Sequence, residues 1–278
     1  MNTSRHGVLT LLVTALLLGC TGCGDDKPVK PEVFYYKIPY FSSPRTDSTY
    51  LYFTYNDCIY RKPLDGGVTE LCITNARFPA ISDDGTKLAY AVPYTSLEVY
   101  DIAARLNRQL DQNDVVGISW MADSLVYRCF GTGIWLTDLE ATTKRHLIPK
   151  GWSPAVSGSD FVFMRYKSNL DRDTSWLMFY ASGEEAPLGI FRGDYRYPSV
   201  SPDGSSVVLS AVDSFTIVVW KDGAQTTVAE RAIDASYARD GRIVFVHLSS
   251  IPEENGQIWI CDPDGENQKP IVTLSDVQ

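Results

Sequence analysis

One short pattern, an apolar strand, a tight turn and a second apolar strand, recurs six times along the chain. The clearest copies are "FPAISDDGTKLAYA" from Phe78 and "YPSVSPDGSSVVLS" from Tyr197. Weaker copies with the same outline begin at Ile38 ("IPYFSSPRTDSTYLYF"), Val115 ("VVGISWMADSLVYR"), Ser153 ("SPAVSGSDFVFMR") and Ala232 ("AIDASYARDGRIVFV"). The residue that opens the second strand falls at Leu51, Leu88, Leu125, Phe161, Val207 and Ile243, so successive copies lie 37, 37, 36, 46 and 36 residues apart. A near-constant period of this size marks an architecture in which each copy is one supersecondary unit.

Each copy continues with a third apolar strand ("LEVYDI", "TGIWLTD", "FTIVVWK", "GQIWICD"), a turn such as "PLDGG", "WKDGA" or "DPDGE", and a fourth apolar stretch. Asp-Gly supplies the positive φ that tight hairpins demand. No window carries a long helical period. The nearest, "DIAARLNRQL", occupies the turn and outer-strand register. A four-stranded sheet cannot cover both of its apolar faces alone, whereas six sheets set radially bury them against one another. The expected fold is all-β, a six-bladed β-propeller of four-stranded antiparallel blades over residues 33–278; a β-sandwich with coincidental spacing is the alternative.

The "SPDG" of Ser201–Gly204 and "SDDG" of Ser82–Gly85, each followed by an apolar strand and later by an "IW" or "VY" strand, resemble the repeats of TolB-type propellers. The propeller of prolyl-oligopeptidase-type peptidases has the same repeat. Copies three and four depart from it, with "SWMADS" and "SGSD" at the turn. The resemblance implies that the turn Ser and Asp are structural, and that a partner lies among envelope proteins. "EVFYYKI", ahead of the first copy, is left over; it either adds a strand beside the last blade or leads into the first.

The N-terminus reads separately. "MNTSRHGVLTLLVTALLLGC" has Arg5 and His6, an apolar run from Val8 to Leu18, then Gly19 and Cys20. That run is shorter than the roughly 20 residues a spanning helix needs, and it reads as a signal peptide over 1–19. "LLGC" resembles the lipobox of bacterial lipoproteins, which implies acylation of Cys20 and membrane attachment through an N-terminal lipid. Thr21, in place of the Asp that marks inner-membrane retention, points to the outer membrane, facing the periplasm or the cell surface. Residues 20–32, small, polar and proline-bearing, read as a tether. A net charge of −9 argues against a nucleic-acid surface, which needs a basic face.

Chemistry is sparse. No G-x-S-x-G elbow occurs, and His146 and His247 lack metal-ligand spacing to a second His or Cys. "DPDGEN" has the register of a turn, with no Glu at the twelfth position of a calcium loop. Cys58 and Cys72 flank "PLDGG", where a disulfide across paired strands and two buried thiols are the alternatives. No metal and no cofactor are expected.

The longest excursions are "RYKSNLDRDTS" (165–175), "LGIFRGDYRYP" (188–198) and "HLSSIPEENG" (247–256), which the propeller register gathers on one face. Arg165, Tyr166, Arg172, Arg192, Tyr195, Arg196 and Tyr197 are the candidate binding residues there, of types enriched at binding hot spots. Asp171, Asp173 and Asp194 pairing with those arginines in a solvated rim is the competing reading. The expected function is a lipid-anchored, monomeric, non-catalytic propeller binding an envelope protein, peptide or polymer through this face. The alternatives are a carbohydrate-active lyase or hydrolase using carboxylates in the central channel, and a structural envelope spacer.

Overall fold

The computed structural model describes residues 41–166, 173–248 and 256–277. They form six sheets, each made of four consecutive antiparallel strands. Blade 1 holds β1 (Phe41–Thr46), β2 (Tyr50–Tyr55), β3 (Cys58–Pro63) and β4 (Glu70–Thr74). Blade 2 holds β5 (Arg77–Ile81), β6 (Lys87–Val92), β7 (Ser96–Asp101) and β8 (Leu106–Asp111). Blade 3 holds β9 (Val115–Met121), β10 (Ser124–Cys129), β11 (Gly133–Asp138) and β12 (Lys144–Ile148). Blade 4 holds β13 (Trp152–Ser157), β14 (Asp160–Tyr166), β15 (Thr174–Ala181) and β16 (Glu184–Arg192). Blade 5 holds β17 (Tyr195–Val200), β18 (Val207–Ala211), β19 (Thr216–Lys221) and β20 (Ala224–Glu230). Blade 6 holds β21 (Ala232–Tyr237), β22 (Ile243–His247), β23 (Gln257–Cys261) and β24 (Lys269–Val272). The first strands touch in cyclic order, β1 to β5 to β9 to β13 to β17 to β21 and back to β1, so the fold is the six-bladed propeller that the period predicts.

Burial is graded across each blade, and the gradient explains the repeat. The second strands have a neighbouring blade on both faces and are buried along almost their whole length, as in Val207–Ala211 and Ile243–Val246. A strand covered on both sides is apolar without alternation. The six opening residues Leu51, Leu88, Leu125, Phe161, Val207 and Ile243 are therefore all core. The fourth strands face solvent, as Leu106–Gln109 does. Between blades the cores are apolar wedges: Phe161 and Phe163 of blade 4 pack on Val126, Ile134 and Ile148 of blade 3.

The two clearest turns are built alike. The Ser82 hydroxyl donates to Asp84 at 2.6 Å and accepts from the Lys87 amide at 2.9 Å; Ser201 does the same with Asp203 (2.7 Å) and the Ser206 amide (2.9 Å). Asp84 and Asp203 each accept a further backbone N–H at 3.0 Å. These side chains close a loop on itself, the structural role the resemblance implies.

The ring closes without an exchanged strand among the described residues, since blade 6 carries its own outer strand β24. Leu51 and Phe53 pack on Val244, Val246, Ile258 and Ile260. The Ser43 amide donates to Asp234 at 2.5 Å, the Ser236 hydroxyl donates to the Pro44 carbonyl at 2.6 Å, and Lys62 pairs with Asp276 at 2.5 Å. The signal segment 1–19, the tether 20–32 with Cys20, and "EVFYYKI" lie outside the described residues. No helix among the described residues is long and apolar enough to cross a membrane.

Candidate functional site

The central channel is where propellers converge, and here five blades share one backbone device at it. Ser43, Phe78, Ser153, Tyr197 and Asp234 all have φ between 47° and 55°, each at a bulge in the first strand of its blade. Pro44, Pro79, Pro154 and Pro198 follow four of them; proline is tolerated in a strand at such bulges because the ladder is already interrupted. Left-handed non-glycine residues cost about 1–3 kcal/mol each, so the surrounding packing holds this ring in place. The signal was an X-Pro pair in four of the six copies, which no reading of the apolar pattern captures.

Side chains narrow the channel where the first strands meet. The first-strand position opposite the residue after the second-strand opener is Ala80, Ser119, Ala155, Ser199 and Ser236 in blades 2 to 6, but Arg45 in blade 1. Ser119 and Ser236 use their hydroxyls to bind the next blade's proline carbonyl. Arg45 instead lines the axial cavity with Phe78, Ile118 and Tyr197, leaving a volume of about 20 Å³. That is room for a single water. No carboxylate lines this cavity among the described residues. Behind its lining residues Ser43 and Arg45 lies the buried Asp234, whose pKa burial pushes up while Arg45 opposes the rise; Oδ2 takes the Ser43 amide and Oδ1 has no hydrogen-bond partner.

On the face where second strands turn into third strands and one blade leads into the next, the predicted residues divide. Arg172 lies outside the described residues. Arg192 is exposed at the end of β16. Arg165 pairs with Glu185 of its own blade. Tyr166 is buried and donates to the Tyr195 carbonyl at 2.5 Å. Tyr195 stacks on Phe191 at 4.9 Å. Arg196 forks onto Asp194: burial works most strongly against its charge, but the Asp194 hydrogen bond and charge, with Tyr197 and Tyr166, together raise the pKa. Tyr197 points to the channel, and burial raises its phenol.

One expectation needs correcting. Residues 188–198 are not a long loop, because β16 runs to Arg192 and β17 starts at Tyr195. Only Gly193 and Asp194 join them, pinned by Ser175, which donates to the Gly193 carbonyl (2.5 Å) and accepts the Tyr195 amide (3.0 Å). The polar composition of this stretch belongs to an exposed outer strand, not to a loop. The other two excursions fall largely outside the described residues.

What the sequence reading missed lies on blades 2 and 3 of the same face. Tyr94 and Phe130, in the β6–β7 and β10–β11 connections, are 75% and 63% exposed. Each has an arginine at its ring, Arg77 at 5.8 Å and Arg128 at 5.6 Å. The Arg128 guanidinium also lies 3.4 Å from the Trp152 ring centroid, and Trp152 meets Tyr166 edge-on at 5.6 Å. Cation and ring thus alternate from Phe130 across blade 3 into blade 4. Their sequence signal is one aromatic in each short connection, too little to single out in a chain with 33 aromatic residues (16 Tyr, 11 Phe, 6 Trp).

The remaining candidates are structural. His146 and His247 stack on Trp135 and Trp259 at 4.5 and 4.4 Å. In "DPDGEN" the carboxylates of Asp262 and Asp264 accept from Asn267 and from the Glu266 amide. Cys58 pairs in register with Thr74, not Cys72, and both cysteines are half-buried and free in the structure. A cavity of about 630 Å³ lies between blades 5 and 6 near the turns; its Asp203, Asp240 and Asp264 are each bound by their own turn's amides.

No family model and no curated protein sequence matches the chain. Solved structures do. TolB from Acinetobacter baumannii superposes with a TM-score of 0.64 at 16% identity, over 75% of this chain and 57% of that one. The Pyrococcus horikoshii acylaminoacyl peptidase superposes at 0.55 with 18% identity, over 84% and 46%. An oligogalacturonate lyase in complex with manganese superposes at 0.56 with 13% identity, over 85% and 78%. The chain thus spans about half the length of the first two, and identities this low speak for fold. In fold, this chain is a TolB-like six-bladed β-propeller.

Proposed function

We propose that the chain is a non-catalytic binding module, held at the cell envelope by a lipid on Cys20, that takes a peptide segment of an envelope protein on its loop-side face. The observation that supports this most is the pair of exposed rings, Tyr94 and Phe130, each with an arginine at it. Aromatic and arginine side chains on a rigid scaffold are the groups that most often carry binding energy. The narrowing of the channel where the bulges meet, to a cavity of about 20 Å³, supports the same reading. Arg192 extends the face onto blade 4.

Crosslinking in intact cells followed by mass spectrometry tests the reading, comparing the natural chain with Phe130→Ala/Tyr94→Ala. Both rings are exposed, so the fold should tolerate the change. Loss of specific crosslinks from the double variant is expected; undiminished recovery of the same partner overturns the assignment of the face. The anchor is tested separately: Cys20→Ser should move the protein from the membrane to the soluble fraction.

A further inference from the structure

On the opposite side of the ring, where first strands turn into second strands and third into fourth, a cavity of about 350 Å³ lies between blades 1 and 2. Its walls include Arg61, Glu70, Leu71, Cys72, Tyr100 and Arg105. The charge on this lining is positive, two guanidiniums against the single Glu70, in a chain whose net charge is −9. Arg61 commits one edge to Glu70, with Nε at 2.8 Å and Nη2 at 2.6 Å from the same oxygen, and its guanidinium lies 4.7 Å from the Tyr50 ring centroid. Arg105 is exposed, sits at a turn with φ 56°, and makes no hydrogen bond or ion pair with any described residue. The Tyr100 hydroxyl makes none either. The Cys72 thiol, pushed up to about 11 chiefly by burial, stays neutral and brings no charge.

The cavity is thus rich in donors and poor in acceptors. A guanidinium offers five N–H groups in a planar fork matched to carboxylate and phosphate. A second cavity of about 230 Å³ shares Tyr52, Arg61 and Ile102 with the first and adds Asp47, Asp83 and Asp84. Asp47 and Asp84 are engaged in their own turns, but Asp83 is 97% exposed with only Arg239 near its carboxylate, at 3.6 Å. The cleft therefore runs from a cationic end to an end where Asp83 offers an exposed carboxylate beside Arg239. We infer that it binds a monosaccharide carrying an oxyanion, with the carboxylate or phosphate between Arg61 and Arg105 and the sugar hydroxyls toward Asp83. The combined space suits a small ligand, and Ile102, which lines both cavities, offers an apolar surface for the ring face.

Calorimetric titration of the detergent-solubilised full-length chain tests this with three probes: glucuronate, glucose 6-phosphate and neutral glucose. At least one anionic probe is expected to bind with a Kd below about 1 mM, and which one does so identifies the oxyanion. Glucose should not bind at that level. Arg105→Gln, a change at an exposed and unpartnered side chain, should leave the melting temperature unchanged and weaken binding about tenfold or more. The bound probe should also slow maleimide labelling of Cys72 while leaving Cys58 unaffected. Failure of both anions to bind, equal binding of glucose, or undiminished binding to Arg105→Gln overturns the inference. None of these results touches the loop-side face, so the two proposals stand or fall separately.

Discussion

The turn aspartates are where single residues have the most legible effect. Asp84 is held down to about 2 by the Ser82 hydroxyl and then by the Thr86 amide; Asp203 is held at about 2 by Ser201 and then Ser205. A carboxyl depressed in the folded chain contributes stability above its unfolded pKa of about 3.9 and loses it as the pH falls through the folded value. Melting temperature is therefore expected to hold between neutral pH and about pH 4, then drop most steeply from about pH 4 to about pH 2. Asp84→Asn/Asp203→Asn should flatten that drop; an identical profile would mean the turns contribute nothing to it. Backbone constraint is sharpest at Gly133, with φ +103° and a space in which a Cβ would fall 2.0 Å from the Ile148 carbonyl oxygen. Gly133→Ala should cost about 2 kcal/mol or more in urea denaturation, since the left-handed backbone alone is worth about 1–3 kcal/mol.

Within a blade, cost should follow position across the sheet. Leu125 on the second strand of blade 3 is fully buried, while Leu106 on the outer strand of blade 2 is 67% exposed. Leu125→Ala is expected to lose about 2–5 kcal/mol and Leu106→Ala no more than about 0.5 kcal/mol, read from urea midpoints. Similar losses at the two sites would contradict the burial gradient. The second strands were the most readable elements because coverage on both faces makes them uniformly apolar. The β16–β17 junction was misread for the converse reason: an outer strand carries Glu, Pro and Gly facing water, and composition alone cannot separate that from a loop. Its identity as a strand rests on pairing with β15, from Thr174–Arg192 to Ala181–Glu184.

For the whole molecule the decisive event is joining blade 6 to blade 1. Lys62 and Asp276 are both largely buried in that junction, beside the packing of Leu274 and Val277. Burial raises the Asp276 carboxyl, but the hydrogen bonds from Lys62 and Thr273 outweigh it and the pKa is lowered. Asp276→Ala should destabilise the ring by about 1–3 kcal/mol, with an unchanged denaturant slope if the ring unfolds as one unit; no shift in midpoint would remove this pair from the closure. The number of blades, the second-strand openers and the Ser-Asp turns of blades 2 and 5 were settled by the amino-acid order, because each depends on apolar runs and turn residues within about 40 neighbours. Ring closure, the narrowing of the channel by Arg45, the inward packing of Tyr166 and Tyr197 and the exposure of Tyr94 and Phe130 were decided only in three dimensions. Those outcomes depend on which side chains arrive from the other side of the ring, as when Ser43 meets Asp234 across 191 positions of chain, and no local pattern encodes that encounter.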